Sequence, residues 1–420
     1  MDKKYYSELI WNSIGGCINS ITSFFFLMLV TRIAGIEEGG IFSLAYTAAQ
    51  IFISIGKFGV RPYHSTDIKF QMSFSDYCFA RVIHFILMLF FFVFYLFCAG
   101  YEIKKNLIFI FILFIKGVEV FEDLYHGELQ RRGYLDIAGM LLSIRSMGTL
   151  VCWTAMMLLS KDLFLTSMVT AIISFIIGLV INVDVSKRYF PMSYNFDLQQ
   201  IKSITKECFL ICLSTFFSLY IYNFPKFVVE RVLSDSCVTI YSILFMPTFV
   251  INLFSDFYFK PIMRKIATIW REKDKKQLFH IIRNQCIGIT LLTIIFIITM
   301  FGIGIDALEF IYGVNISGYH KELLVLLIAG GGSAITYFFF NLLSAIRAQK
   351  ILIVNYILGA LCITVTSIVL TVYYKIVGSA VAFLVTEILM CLIMFVSALF
   401  FINKRRNSNE IGNNDISKNE

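Results

Sequence analysis

Four charged residues fall within eight positions of an otherwise apolar stretch: Lys116, Glu119, Glu122 and Asp123. At about 100° per residue on a helix, Lys116, Glu119 and Asp123 cluster within about 60°, while Glu122 points elsewhere. A neighbouring apolar stretch carries Arg145, which is available to pair with the acidic group. Two chemistries suit such residues. In one, the charges form an internal ion-pair lock between adjacent helices. In the other, Lys116 and Arg145 receive a phosphate-bearing substrate, and the acids Glu119 and Asp123 take up a proton or sodium ion. Charges in apolar surroundings are costly, so they face a protein interior or a water-filled cavity.

Other polar residues follow helical spacing. Ser43, Thr47, Gln50, Ser54, Lys57 and Arg61 recur at intervals of three and four and form one stripe down a helix. Asn12, Gly16, Asn19 and Ser23 make a milder version. Two such stripes fit the wall of a hydrated cavity, or helix–helix contact through small and hydroxyl side chains. Asn223-Phe224-Pro225-Lys226 places a kinking proline beside a cation. Lys226 then either lines a central cavity or snorkels to the membrane surface. Glu387 lies mid-stretch with no partner evident in the sequence and is a candidate for a coupling ion, whereas His84 reads as a packing residue. Gly330-Gly331-Gly332 reads as a site of close helix packing.

Nothing in the chain has the pattern of an enzyme. Neither a nucleophile–base motif nor a phosphate-binding glycine loop occurs. The ten cysteines are scattered singly, without metal-ligand spacing, and read as small buried hydrophobes. No cofactor or metal is expected.

The elements that carry these residues follow from composition. Hydrophobic residues make up 58% of 420 residues, charged residues only 15%, and the mean hydropathy is +0.78. Only a bilayer accommodates so much apolar surface, and the 44 Phe suit lipid contact. The net charge of +8 lies in segments between apolar runs, which argues against nucleic acid. Runs of roughly 20 residues mark helical spans at 9–31, 40–60, 80–100, 106–125, 137–159 and 163–183, then 207–229, 238–259, 284–305, 322–346, 351–373 and 377–402. The first of these reads as an uncleaved span. The fold class is therefore all-α integral membrane with twelve transmembrane helices. A six-helix lobe over 1–183 and another over 207–402 flank a cytoplasmic linker at 184–206, and 403–420 form a polar tail with the composition of a disordered segment. With the N-terminus inside, 26 of the 36 Lys and Arg fall in inside segments and 7 in outside ones, so both termini are expected in the cytoplasm.

A shift of 199 residues aligns Arg32 with Arg231, Ile41-Phe42-Ser43 with Ile240-Tyr241-Ser242, Lys57 with Asp256, and Arg61-Pro62 with Lys260-Pro261. Six spans separate the copies, so the halves share one orientation: two parallel, pseudo-symmetric lobes, a known transporter plan. Asp256 joins the ion-coupling candidates by this match. Downstream of the second copy, Ile262, Ile266, Ile269 and Trp270 share a helical face and basic residues occupy others, the pattern of an in-plane amphipathic helix.

The run Thr31-Arg32-Ile33-Ala34-Gly35-Ile36-Glu37-Glu38-Gly39-Gly40-Ile41-Phe42-Ser43 resembles the first-loop signature of bacterial polysaccharide repeat-unit flippases of the Wzx type. These belong to the multidrug/oligosaccharidyl-lipid/polysaccharide exporter superfamily. The likeness extends to Val60-Arg61-Pro62-Tyr63, Glu122-Asp123, His126-Gly127, Asn223-Phe224-Pro225-Lys226, Met246-Pro247 and Ser317-Gly318-Tyr319. It implies two six-helix lobes around a cationic cavity that alternates between inward- and outward-open states. The implied substrate is an undecaprenyl-diphosphate-linked oligosaccharide for capsule, exopolysaccharide or O-antigen, moved to the outer leaflet of the bacterial inner membrane and driven by a proton or sodium gradient. Glycosyltransferases and a polysaccharide polymerase are the implied partners. Arg and Lys in a hydrated cavity would shield the diphosphate, with Arg61, Lys57, Lys116, Arg145 and Lys226 as contacts, and Gln50 and Asn19 in the cavity wall. The alternative is a cation-coupled small-molecule or multidrug exporter. The multidrug branch usually carries an acidic residue in its first span, and spans 1 and 2 here have none.

Overall fold

The computed structural model describes residues 3–67, 71–190, 197–259, 262–272, 274–346 and 348–416. Among them all regular structure is helical: α1 (Lys3–Ile33), α2 (Ile36–Lys57), α3 (Val60–Thr66), α4 (Phe74–Ala99), α5 (Ile103–Arg131), α6 (Leu135–Ser160), α7 (Leu163–Ser186), α8 (Leu198–Val232), α9 (Asp235–Phe259), α10 (Met263–Glu272), α11 (Lys275–Tyr312), α12 (His320–Ala345) and α13 (Gln349–Ile416).

Ten of the described helices are long and apolar enough to cross a membrane. One of these stretches, Gln349–Ile402, breaks at Lys375 (φ 53°, ψ −133°) and so supplies two crossings. Charge alone sets α5 apart. Its 29 residues reach about 43 Å at 1.5 Å per residue, more than the roughly 30 Å hydrocarbon core. With α5 and the break at Lys375, the helix lengths are compatible with the twelve expected crossings. On α4, Phe90, Phe91, Phe94 and Phe97 are exposed while Phe92 is buried, so the phenylalanine run coats a lipid-facing side and turns one ring inward.

Helix ends differ from the expected spans because backbone hydrogen bonding continues past the apolar run. Ser73 and Asp76 form a capping box that starts α4 at Phe74 rather than 80. α8 begins at Leu198 and α7 ends at Ser186, so much of the expected linker at 184–206 is helix; residues 191–196 lie outside the described residues. α13 runs through Ile416, into the tail expected to be disordered, with 417–420 again outside. The repeat is visible in the boundaries. α1 ends at Ile33 and α8 at Val232, and α2 starts at Ile36 and α9 at Asp235, each pair 199 residues apart.

The chain divides into two compact units. Unit 1 comprises Met1–Tyr220 with Ser234–Ser242 and Phe310–Asn315; unit 2 comprises Ile221–Leu233, Ile243–Glu309 and Ile316–Glu420. In unit 1, α5 sits among α2, α3, α4, α6 and α7. Ser43 and Ser242, partners under the 199-residue shift, share a 2.5 Å hydrogen bond there. The guanidinium of Arg32 donates to the carbonyls of Phe310 and Ile311 in the last turn of α11, where a cation suits the helix dipole.

In unit 2 the glycine run of α12 does what close packing requires. A Cβ on Gly330 would lie 2.8 Å from Thr248 on α9, one on Gly331 2.6 Å from Thr293 on α11, and one on Gly332 3.2 Å from Glu387 on α13. Three successive residues point about 100° apart, so each admits a different helix. On α10, Ile266 and Ile269 are buried while Lys265 is exposed, in keeping with the expected amphipathic face.

Candidate functional site

The charged residues of α5 meet side chains from five other helices of unit 1. α2 stops one turn short of Arg61, because Phe58 and Gly59 turn left-handed (φ 51° and 65°). For Phe58 that conformation costs about 1–2 kcal/mol; its ring stacks on His84 with centroids 3.9 Å apart. The break leaves Lys57 at the end of α2 and Arg61 in the first turn of α3, both beside α5.

Glu119 is the hub. Lys57 Nζ lies 3.0 Å from its Oε2, Lys116 Nζ contacts its Oε1, and Arg145 Nη2 stands 4.0 Å away. Lys116 also sits over the Tyr46 ring, 5.1 Å from its centroid. Arg145 is held harder by Glu122: its Nε donates to both carboxylate oxygens at 3.1 Å. Its Nη2 also donates to Asn19 Oδ1 at 3.0 Å. Asn182 on α7 approaches Glu122 at 3.5 Å. Glu122, expected to point away from the group, is therefore the principal partner of Arg145. The helical angle was right, but the group wraps around α5 because α6 and α7 flank its other side.

Asp123 joins two further cations. Arg61 Nη1 lies 3.7 Å from it, and Arg61 Nε donates to Gln130 at 3.4 Å. Arg81 Nη2 donates to Asp123 at 2.9 Å, while its Nη1 donates to the carbonyls of Gly56 and Lys57 at 3.0 and 2.7 Å. Arg81 thereby satisfies the last carbonyls of α2. Five cations (Lys57, Arg61, Arg81, Lys116, Arg145) thus face three carboxylates (Glu119, Glu122, Asp123), a surplus of two positive charges. Burial sorts them. The side chains of Arg81, Lys116 and Arg145 are 1%, 9% and 4% exposed, whereas those of Lys57 and Arg61 are 34% and 32% exposed. The accessible pair is Lys57 and Arg61; the buried three are locked. Gln50 is half-buried two turns from Lys57 and makes no side-chain hydrogen bond among the described residues.

The remaining expected residues lie in unit 2. Lys226, one residue past Pro225 in α8, is half-buried and sits over the Phe245 ring at 5.3 Å. Glu387 is buried and accepts a 3.0 Å hydrogen bond from Thr336. Among the described residues, no cation stands within ion-pair distance of it. Asp256 lies in α9, and its side chain falls outside the described residues. Among the described residues no cluster of His, Cys, Asp and Glu is arranged to hold a metal ion.

A family model described as polysaccharide biosynthesis protein matches residues 7–267. The chain belongs to that family. No curated protein matches it. Solved structures share the fold of this polysaccharide biosynthesis protein. An inward-facing multidrug resistance MATE transporter of the MOP superfamily matches with a TM-score of 0.73 at 10% identity, covering 94% of this chain and 99% of that one. The lipid II flippase MurJ in an inward closed conformation matches with a TM-score of 0.71 at 14% identity, over 93% and 87%. A MOP superfamily transporter from Pyrococcus furiosus, described by the reverse polarity of its binding pocket, gives 0.62 at 11%, over 96% of each chain. The chain is a multi-pass membrane protein with the MOP superfamily fold.

Two groups in this family member escape a reading by spans. Arg81 falls at the edge of the expected span 80–100, and only the Ser73-x-x-Asp76 box, which starts α4 at Phe74, puts it two turns inside the helix. At the far end of α5, Glu128 takes His64 at 2.8 Å, Arg131 at 2.8 Å and Arg132 at 2.6 Å. Arg131 also reaches Asp67 at 3.2 Å. His64 stacks on Tyr77 at 3.8 Å. These residues sit beyond the apolar run, where hydropathy carries no signal, yet they tie α3, Asp67 and Met72 to α5.

Proposed function

We propose that the chain flips an undecaprenyl-diphosphate-linked oligosaccharide repeat unit between leaflets of the bacterial inner membrane, by alternating access driven by an ion gradient. The product serves capsule, exopolysaccharide or O-antigen assembly. The observation that carries this reading is the surplus of two positive charges within the helices of unit 1, with Lys57 and Arg61 accessible.

A diphosphate is dianionic or more, and Arg and Lys are suited to bind it. Lys57 and Arg61, four residues apart across a helix break, present an ammonium and a guanidinium to neighbouring phosphates. Neither depends on that ligand to keep its own partner. Lys116, Arg81 and Arg145 hold Glu119, Asp123 and Glu122 and fix α5 against α2, α4 and α6, so their part is to position. Gln50 on α2 and Asn19 on α1 add hydrogen-bonding groups, Asn19 through its contact with Arg145. Lys226, in unit 2, is a further candidate cation.

The coupling ion finds its best site at Glu387. A proton or sodium ion at Glu119 or Asp123 would compete with fixed cations. Glu387 faces a hydroxyl instead and gains from any positive partner. The distribution of Lys and Arg supports a cytoplasmic position for both termini, and loading of the substrate from that side would suit glycosyltransferases that act in the cytoplasm.

The test is transport by the full chain in vesicles carrying a fluorescent polyprenyl-diphosphate oligosaccharide in one leaflet. Wild type is expected to equilibrate the lipid under an imposed ion gradient, and Arg61→Ala, Lys57→Ala and Lys226→Ala to lose transport while inserting normally. Wild-type rates in all three variants would sink the assignment. Gradient-dependent transport of hydrophobic cations but not of the lipid would favour the multidrug alternative.

A further inference from the structure

α11 carries a feature that the flipping reading leaves unused. Between it and α13 lies a groove of about 670 Å³ lined by Lys276, His280, Arg283, Phe279, Ile287 and Phe395, among others. Lys276, His280, Arg283 and Ile287 recur at helical spacing and all are exposed, so the groove opens outward along one stripe of α11. None of its lining residues is acidic. Asp274, the nearest carboxylate in sequence, caps the helix by accepting from the Gln277 amide at 3.0 Å. Among the described residues neither Lys276 nor Arg283 has a carboxylate partner. One ring nitrogen of His280 accepts, either from Arg283 Nη2 at 3.2 Å or from Asn284 Nδ2 at 3.1 Å according to the tautomer.

The order along the stripe matters. Lys276, His280 and Arg283 precede the apolar run expected to begin at 284, and Ile287 lies inside it, with Phe395 of α13 beside it. From Lys276 to Ile287 is about 17 Å of helix. The groove therefore offers cationic donors at the level of the membrane headgroups and an apolar floor at the level of the acyl chains. Such basic pockets between transmembrane helices suit phosphate-bearing lipids.

We propose that this groove is a resident site for an anionic glycerophospholipid, its phosphate held by Lys276 and Arg283 and one acyl chain laid against Phe279, Ile287 and Phe395. A glycerophospholipid fits better than the transported lipid, because the groove lies along the exposed stripe of α11, whose apolar window is little buried, and no charged residue lines it deeper in the span. The site is separate from the Lys57–Arg61 pair and stands whether or not that pair binds a diphosphate.

The test is native mass spectrometry of the full chain purified in mixed micelles with equal phosphatidylglycerol and phosphatidylcholine. Wild type is expected to retain phosphatidylglycerol preferentially, and K276Q/R283Q to lose about thirtyfold of that preference, since each basic side chain near a membrane surface contributes about 1 kcal/mol. Should the double variant fail to purify, K276Q and R283Q alone are each expected to lose about fivefold, with R283K retaining most of the preference. Equal retention of the two lipids by wild type would overturn the proposal. So would a preference unchanged by the substitutions. Displacement of phosphatidylglycerol by equimolar undecaprenyl diphosphate would overturn the choice of occupant and mark the groove as a docking point for the transported lipid.

Discussion

The fourth long helix of each half shows how one topology serves two purposes. In the first half this is α5, which carries Lys116, Glu119, Glu122 and Asp123 and is bound to its neighbours by ion pairs. In the second it is α12, where Gly330-Gly331-Gly332 let α9, α11 and α13 approach backbone to side chain. One helix is held by charge and the other by contact. A helix that only needs to pack has no use for five cations around three carboxylates, whose desolvation is not recovered in stability. The charged version suits recognition, and the proposed function makes unit 1 the half that meets the anionic ligand.

Removing one partner of a buried pair is expected to break this arrangement most severely. Glu122→Ala leaves Arg145 without its main carboxylate and should cost about 3–5 kcal/mol, read as a lower unfolding temperature in detergent and a smaller monodisperse fraction. The double change Glu122→Leu with Arg145→Met removes both charges and should recover near wild-type stability while transport stays lost, which separates recognition from folding. On the other side of the comparison, Gly331→Ala puts a methyl group where Thr293 stands and should cost about 1–3 kcal/mol by overpacking. The smallest stability effect belongs to the accessible cations. Lys57→Gln and Arg61→Gln should each cost less than about 1 kcal/mol in the same melting assay. If those two destabilise as much as Glu122→Ala, they are lock residues and the sorting by burial is wrong.

Much of this was legible in the residues. The apolar runs locate the spans, and the 199-residue shift is reproduced in the shared boundaries of α1 with α8 and α2 with α9. The pairing of Arg145 with the acids of α5 follows from the cost of unpaired charge in apolar surroundings. Three things were not legible. Hydropathy reports where lipid is, not where backbone hydrogen bonds end, so α4 and α8 start earlier than their apolar runs and Arg81, at the edge of the expected span, is not singled out. Helical angle places Glu122 on a different side from Glu119 but says nothing of which neighbours occupy that side; α6 and α7 do. And equal candidacy among Lys57, Arg61, Lys116 and Arg145 dissolves only when burial is known, because spacing carries no information about exposure within a bundle.

Lys57 and Arg61 are proposed to recognise a diphosphate from the cationic unit 1. The most direct test is equilibrium binding of undecaprenyl diphosphate to the purified full chain and to Lys57→Gln/Arg61→Gln, with undecaprenol as the uncharged control. Charge-assisted hydrogen bonds contribute about 1.5–3 kcal/mol each, so the double variant should bind the diphosphate at least a hundredfold more weakly, by about 3 kcal/mol or more. Its affinity for undecaprenol should be unchanged. Equal affinity of wild type and variant for the diphosphate would contradict the claim.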